Sequence, residues 1–198
     1  MKKLLALSVA SAFCTAAFAN APAGKPAPAF TVTDLSGKTV NLADYKGKTV
    51  VLEWHNFGCP FVQKHYQSGN MQALQKKYAN DVVWLAVNST NKSASDWTDP
   101  PVLTKQLKDA NVSLAAYLVD EPGKVGMAYG AKTTPHMYII DPQGKVVYNG
   151  AIDDRQSTNV ADVKGAKNYV ALALDEMKAG KPVSVAATTP YGCSVHYK

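Results

Sequence analysis

The sequence predicts one α/β domain with a central mixed sheet flanked by helices, and three observations support this fold class. Two runs rich in apolar and β-branched residues, 49–54 and 81–87, are typical of strands buried on both faces. A helical pattern separates them, and a right-handed crossover makes such strands parallel neighbours. Residues 137–141 and 145–152, joined by a Pro-Gln-Gly turn, predict an antiparallel hairpin, so the sheet is mixed.

Residues 1–19 have the features of a secretory signal peptide. Two lysines precede an apolar stretch that is too short to span a bilayer, and the stretch ends in a small-x-small cleavage sequence. We expect cleavage after Ala19 and a periplasmic or secreted protein. Residues 20–29 are rich in Ala, Pro, Gly and Lys and predict a loose lead-in to a domain at residues 30–182.

The composition argues against two classes of partner. The chain is 46% hydrophobic, enough for a real core, but no stretch after the leader is long enough for a membrane helix. Loss of the two leader lysines lowers the formal charge of +6 by two, and the remaining positive charges are spread along the chain. We therefore expect neither nucleic acid nor, after cleavage, a membrane as a partner.

The domain begins with short elements. Residues 30–34 and 39–42 predict the two strands of an N-terminal β-hairpin, joined by a Ser-Gly turn. Residues 43–45 predict one short turn of helix before the strand at 49–54.

That strand leads to a cysteine at the start of a helix. Proline is favoured at the first helical position, so Pro60 predicts that Cys59 caps the helix that follows. A thiol there meets the positive end of the helix dipole and unpaired backbone N–H groups, which favour the thiolate. Cys59 is therefore the candidate nucleophile. Further along, Asn70 is expected to cap a second helical segment.

The second half of the chain completes the domain. Residues 88–99 are polar and follow the strand at 81–87, at the edge of the sheet where open α/β proteins place their sites. The remaining patterns predict a helix at 101–110, a strand at 114–119, helices at 124–129 and 165–179, and an irregular tail at 183–198 that carries Cys193.

Cys59 and Cys193 are the two cysteines left once the leader with Cys14 is removed. An even number in an oxidising compartment suits a structural disulfide, which would close a loop on the order of a hundred residues and contribute about 5 kcal/mol in the chain-entropy model. The alternative makes Cys59 an attacking thiolate and Cys193 its resolving partner. The position of Cys59 at a helix start favours the redox interpretation.

With these elements assigned, the chain resembles the thioredoxin-fold redoxins, the peroxiredoxin-like group labelled alkyl hydroperoxide reductase/thiol-specific antioxidant. The resemblance covers about residues 30–179. The string PAFTVTDLSGKTVNLADYKGKTVVLEWHNFGCP is similar to the redoxin opening, in which a hairpin leads into the first core strand and its cysteine. The string TTPHMYIIDPQGKVVYNG resembles the family's cis-proline loop and the hairpin after it.

The resemblance implies a thioredoxin-like fold in which the Thr134–Pro135 peptide is cis and lies against Cys59. It also implies a thiol-dependent oxidoreductase that reduces a peroxide or exchanges disulfides, supplied by an external thiol or disulfide electron donor. We expect no cofactor and allow for a homodimer. In the mechanism that we expect, Cys59 attacks the peroxide or disulfide, and Cys193 then condenses with the product into an internal disulfide.

Three departures from the family bear on this chemistry. Val62 stands where thioredoxins have their second cysteine, so Cys59 needs a distant thiol or a second protein. Asn56 stands where peroxiredoxins have the Thr or Ser that orients the peroxide, and Leu52 replaces their proline. These departures weaken the case for a peroxidase more than the case for thiol chemistry.

Two other residues are candidates for tuning Cys59. Glu53 matches a buried acid of thioredoxin, and a carboxylate in a strand buried on both faces should have a raised pKa and could accept the thiol proton. The alternative is that Glu53 lies at the strand edge and pairs with a lysine. Arg155, the one arginine of the chain, could support a thiolate as the peroxiredoxin arginine does, or could lie on the surface.

Two further hypotheses stay open. Cys59, His65, His136, Cys193 and His196 are soft ligands, and the spacing of the last two could clasp one ion, so the chain could be a copper-binding or metal-carrier protein. The Cys-x-x-x-Cys of thioredoxin-fold copper carriers is absent, however. The other hypothesis is a non-catalytic module held by one structural disulfide.

Overall fold

The structure is a computed structural model that describes residues 21–198, so the expected signal peptide lies outside the described residues. Within the described part, the strands are β1 (Thr31–Asp34), β2 (Thr39–Asn41), β3 (Thr49–Trp54), β4 (Val82–Asn88), β5 (Ala116–Val119), β6 (Thr133–Thr134), β7 (His136–Ile140), β8 (Val146–Gly150) and β9 (Cys193–Ser194). The helices are α1 (Pro60–Gln67), α2 (Asn70–Lys77), α3 (Pro100–Asp109), α4 (Lys124–Tyr129) and α5 (Tyr169–Lys178), with 3-10 turns at Leu42–Tyr45 and Val160–Val163. None of the helices described in residues 21–198 has the length and apolar character to cross a membrane.

Seven strands form one mixed sheet in the order β2-β1-β5-β4-β3-β7-β8. The interior strand β3 is parallel to β4 and antiparallel to β7, and β7 forms a hairpin with β8. The N-terminal hairpin of β1 and β2 joins the sheet through β5. The predicted parallel pairing of β3 with β4 and both predicted hairpins are therefore confirmed.

The strand β3 is buried on both faces because its side chains enter two separate apolar clusters. Leu52 and Trp54 pack with Tyr129 of α4 on one face. Val51 packs on the other face with side chains of α1, α2 and α5. Since successive side chains of a strand alternate between faces, Glu53 points to the same face as Val51, towards α1.

The helix α1 begins as predicted, with Cys59 as its N-cap residue and Pro60 as its first helical residue. The helix α2 differs by one position, because Gly69 is its N-cap and Asn70 is its first helical residue. Gly69 has φ +74°, a left-handed conformation that a residue without Cβ adopts without strain. The Asn70 side chain instead contacts Nδ1 of His65 at 2.9 Å.

The C-terminal tail, predicted to be irregular, lies along the domain and contributes a strand of its own. Its strand β9 pairs antiparallel with β6, so Cys193 lies opposite Thr134. Earlier in the tail, backbone hydrogen bonds join Ala186 and Thr188 to Asn149 of β8. The tail therefore returns Cys193 to the loop that precedes β7.

Candidate active site

Cys59 lies where the carboxyl end of β3, the start of α1 and the loop before β7 meet. Its side chain is only 2% exposed, and its Sγ donates a hydrogen bond to the carbonyl oxygen of Thr134 at 2.9 Å. The Thr134–Pro135 peptide bond is cis, which confirms what the family resemblance implied. The sulfur thus faces the backbone of the residue that precedes the cis-proline.

Asn56 fixes the loop that precedes Cys59. Its Nδ2 donates to Thr90 Oγ1 at 3.2 Å and to Asp96 Oδ2 at 2.9 Å, and its Oδ1 accepts from the backbone N–H of Gly58 at 2.8 Å. The backbone N–H of Cys59 then donates to the Asn56 carbonyl at 3.0 Å. The amide of Asn56 is therefore occupied in bracing the polar loop after β4.

Cys193 is the second thiol at this site. Both cysteines are free thiols, and Cys193 is partly buried beside Cys59. Burial raises the pKa of Cys193 to about 12, with further contributions from its hydrogen bond to Cys59 and from the charge of Cys59. The backbone N–H of Phe61, in the first turn of α1, acts in the opposite direction on the same pKa. The protonation of Cys193 therefore depends directly on Cys59.

Glu53 is a buried acid on the strand that leads to Cys59. It is 0% exposed; its Oε1 accepts from the Tyr66 hydroxyl at 2.9 Å and its Oε2 accepts from Trp84 Nε1 at 2.9 Å. Burial raises the pKa of Glu53 to about 7, although these two hydrogen bonds act to lower it. The predicted burial and raised pKa are confirmed, and the alternative of a strand-edge glutamate paired with lysine is wrong.

Arg155 is a surface residue. Its side chain is 55% exposed, and its Nε lies 3.5 Å from Asp154 Oδ1. Its guanidinium therefore has a carboxylate rather than Cys59 as its ionic partner, which is the surface alternative raised from the sequence. The buried positive charge of this region belongs instead to Lys64 of α1.

Sequence reasoning missed a group of residues that holds the tail next to α1. Lys64 Nζ donates to the Tyr191 hydroxyl at 3.0 Å, and this hydroxyl donates to Asp153 Oδ1. Tyr191 stands two residues before Cys193 in a stretch with no periodic pattern. The one local signal for this group was a tyrosine two residues before Cys193. The residues that contact this tyrosine lie far away in sequence.

The three histidines of the metal hypothesis do not converge on one site. Each histidine has a different partner: His65 contacts Asn70, His136 contacts Asn149 and His196 contacts Asp96. Within residues 21–198, no group of three or more His, Cys, Asp or Glu side chains has the geometry to hold a metal ion. His136 is a buried structural residue, since its Nε2 lies 2.7 Å from Asn149 Oδ1 and its Nδ1 accepts from the backbone N–H of Lys132.

Comparison with known proteins assigns the sequence to a described group. Residues 23–149 match the family model described as the AhpC/TSA family. The chain is 32% identical over 127 residues to the thiol-disulfide oxidoreductase ResA of Bacillus thuringiensis subsp. konkukian, a match that covers 63% of this chain and 66% of that protein. The chain thus spans just under two thirds of the length of this curated relative.

Solved structures share the architecture. An uncharacterized conserved protein from Geobacillus kaustophilus superimposes with a TM-score of 0.79 at 30% identity, covering 90% of this chain and 93% of that one. The thioredoxin domain of a thiol-disulfide oxidoreductase from Bacteroides vulgatus gives a TM-score of 0.53 at 25% identity, covering 72% and 95%. The predicted thioredoxin-like fold is confirmed.

Proposed function

The chain belongs to the AhpC/TSA family, and on that premise we propose that it is a thiol–disulfide oxidoreductase with Cys59 as nucleophile and Cys193 as resolving cysteine. One observation carries the proposal: Cys59 donates to the Thr134 carbonyl while Cys193 is the strand partner of the same Thr134. The name of the relative ResA, a thiol-disulfide oxidoreductase, supports the same reaction class.

In the first step, the Cys59 thiolate attacks one sulfur of a disulfide substrate. A bond forms between Cys59 Sγ and that sulfur, the substrate disulfide breaks, and its other sulfur leaves as a thiolate that takes up a proton. Cys59 attacks from the N-cap of α1, at the positive end of the helix dipole. Glu53, buried on the strand that leads to Cys59, is the proton acceptor in this proposal, because an acid whose pKa is about 7 both accepts and releases protons at neutral pH.

In the second step, Cys193 resolves the mixed disulfide. Cys59 supplies two of the causes that raise the pKa of Cys193: the hydrogen bond between the two thiols and the charge of Cys59. Both end when Cys59 is bonded to the substrate, so the Cys193 thiol then loses its proton more readily. Its sulfur attacks Cys59 Sγ, the substrate thiolate leaves, and an external dithiol donor returns the Cys59–Cys193 disulfide to two thiols.

Peroxide reduction is the second candidate, and the family description favours it. Cys59 would take one oxygen from a hydroperoxide, giving a sulfenic acid and an alcohol, and Cys193 would then displace water to form the same disulfide. Disulfide exchange ranks first because the amide of Asn56, at the position of the peroxide-orienting residue, is engaged by Thr90, Asp96 and Gly58.

The proposal extends to location and partners. The leader at residues 1–19 supports a periplasmic or secreted protein, and there the electron donor would be an exported dithiol protein. Assembly into a homodimer stays a prediction.

The decisive experiment traps the first intermediate. The variant Cys193→Ser should keep the attack but lose resolution, so oxidised glutathione should leave a stable mixed disulfide on Cys59, visible as one glutathione adduct by mass spectrometry. Cys59→Ser should form no such adduct and should lose turnover by at least a hundredfold.

Full turnover by Cys59→Ser in a thiol-exchange assay would rule the proposal out. The same proteins are assayed with a hydroperoxide. Faster turnover of the wild type with hydroperoxide than with disulfide would favour the second candidate.

A further inference from the structure

A buried polar cluster joins α1 to the segment that precedes Cys193 and takes no part in the steps above. Lys64, 1% exposed, donates from Nζ to the Tyr191 hydroxyl at 3.0 Å and to the Arg155 carbonyl at 2.7 Å. The Tyr191 hydroxyl donates to Asp153 Oδ1, which lies 3.7 Å from Lys64 Nζ. Nε2 of His65 is 3.3 Å from the same hydroxyl. Three side chains, those of Lys64, Asp153 and His65, thus meet at the Tyr191 hydroxyl.

The energetics of this cluster suggest a role in holding one arrangement rather than in stability. Burial lowers the pKa of Lys64, and the charge of Asp153 opposes that change. A buried ion pair adds little net stability, because removing both charges from water offsets their attraction; its best-attested use is to specify one arrangement. Among the described residues, Asp153 Oδ2 has no hydrogen-bond partner, so the bonds of this carboxylate converge on Oδ1.

The cluster connects the two elements that carry the cysteines. Lys64 belongs to α1, whose N-cap is Cys59, and Tyr191 precedes Cys193 by two residues. The Tyr191 ring also packs edge-on against Phe61 of α1, with ring centroids 5.8 Å apart. The hydroxyl of Tyr191 therefore ties the tail to the helix that presents the nucleophile.

We propose that Tyr191 is a positioning residue that holds Cys193 against Cys59, through Asp153 and Lys64, and so sets the equilibrium between the dithiol and the disulfide. This inference rests on the proposed function. Two thiols of one chain form a disulfide more readily when their sulfurs are held within reach, because the attack then has a higher effective concentration. The oxidation is balanced: two protein thiols and oxidised glutathione give the protein disulfide and two molecules of reduced glutathione.

The test is the redox equilibrium of Tyr191→Phe. The phenylalanine keeps the packing against Phe61 and removes the hydroxyl. We expect the equilibrium constant for the Cys59–Cys193 disulfide against glutathione to fall at least tenfold, equivalent to about 30 mV. The oxidised fraction is read by acid quenching, alkylation of free thiols and mass spectrometry.

Tyr78→Phe is the matched control, because its hydroxyl also donates to a carboxylate, Asp175 Oδ1 at 2.8 Å, but on α5 instead of the tail. The equilibrium constant of Tyr78→Phe for the Cys59–Cys193 disulfide against glutathione should equal that of the wild type.

A second measurement uses the Cys59→Ser background, in which iodoacetamide should modify Cys193 about tenfold faster once Tyr191 is Phe. This rate reports release of the tail without any disulfide.

The outcomes separate the two proposals. Equal equilibrium constants and equal alkylation rates for wild type and Tyr191→Phe would overturn the positioning role and leave the proposed function intact. A wild type that forms no Cys59–Cys193 disulfide at any glutathione ratio would overturn the proposed function itself. If Tyr191→Phe does not fold, Asp153→Asn replaces it, with an expected fall of at least threefold; no change there would overturn the inference.

Discussion

Glu53 shows how one buried residue makes the stability of the fold depend on pH. It occupies an interior strand, and both of its oxygens accept hydrogen bonds from apolar-cluster residues, Tyr66 and Trp84. Burial disfavours the carboxylate more than these bonds favour it, so the pKa rises from 4.5 to about 7. The folded protein therefore holds this proton more tightly than the unfolded chain does.

The first prediction concerns Glu53→Gln. The stability that comes from protonated Glu53 is fully present below pH 4.5 and is lost as the pH rises through about 7. This difference amounts to about 3 kcal/mol. Relative to wild type, the free energy of unfolding of Glu53→Gln should therefore increase by that amount between pH 4 and pH 8, as measured by urea unfolding. The partly exposed Glu121 provides the control variant Glu121→Gln, and the same pH trend in both variants would contradict the prediction.

At the scale of elements, the short strand β9 brings Cys193 to the cis-proline loop beside Cys59. It pairs with β6 through only two residues on each side. The backbone of the tail comes close to the cis-proline loop at Gly192, where φ is +148° and an added Cβ would overlap the Thr134 carbonyl oxygen. A residue with a side chain at this position would force the tail away from the cis-proline loop.

The second prediction follows from this approach. Gly192→Ala should release β9, lower the equilibrium constant for the Cys59–Cys193 disulfide at least tenfold and speed alkylation of Cys193. The matched control is Gly37→Ala, since Gly37 also has positive φ, +81°, but nothing within 4 Å of an added Cβ. The control should cost only backbone strain, about 1–2 kcal/mol in urea unfolding. Equal redox equilibria for the two variants would show that the contact at Gly192 is unimportant.

At the scale of the whole molecule, burial of three histidines sets the response to acid. Burial lowers the pKa of His55 to about 3 and the pKa values of His65 and His136 to about 4 each. All three are therefore neutral in the folded protein at neutral pH. The unfolded chain takes up their protons first when the solution is acidified, near the ordinary value of 6.5.

The third prediction is that the free energy of unfolding falls by several kcal/mol between pH 7 and pH 4. Each histidine contributes roughly 3 kcal/mol over this range, and protonation of Glu53 offsets only one such contribution. Urea unfolding at a series of pH values measures this slope, and His136→Gln should reduce it. His196, half-exposed beside Asp96, provides the control His196→Gln. A stability that is constant down to pH 4 would be inconsistent with neutral buried histidines.

The sequence determined the elements whose signals are local. The strand β3, the helix α4, the capping position of Cys59 and the hairpin after Pro135 could be predicted, because hydrophobic periodicity, proline placement and turn residues report on neighbours along the chain. The family resemblance supplied the cis-proline loop and the likeness to thiol oxidoreductases. The two candidate cysteines followed from removal of the leader with Cys14 and from the position of Cys59 at a helix start.

The tertiary structure alone decided which of these residues meet. The tail contains no periodic pattern, so its return to Thr134 and the bond between Tyr191 and Asp153 were not predictable from neighbouring residues. The exposure of the Arg155 side chain to solvent was likewise not predictable from its neighbours in sequence. Such contacts join residues far apart in sequence, and whether they form depends on how the sheet and helices pack, which a local pattern does not contain.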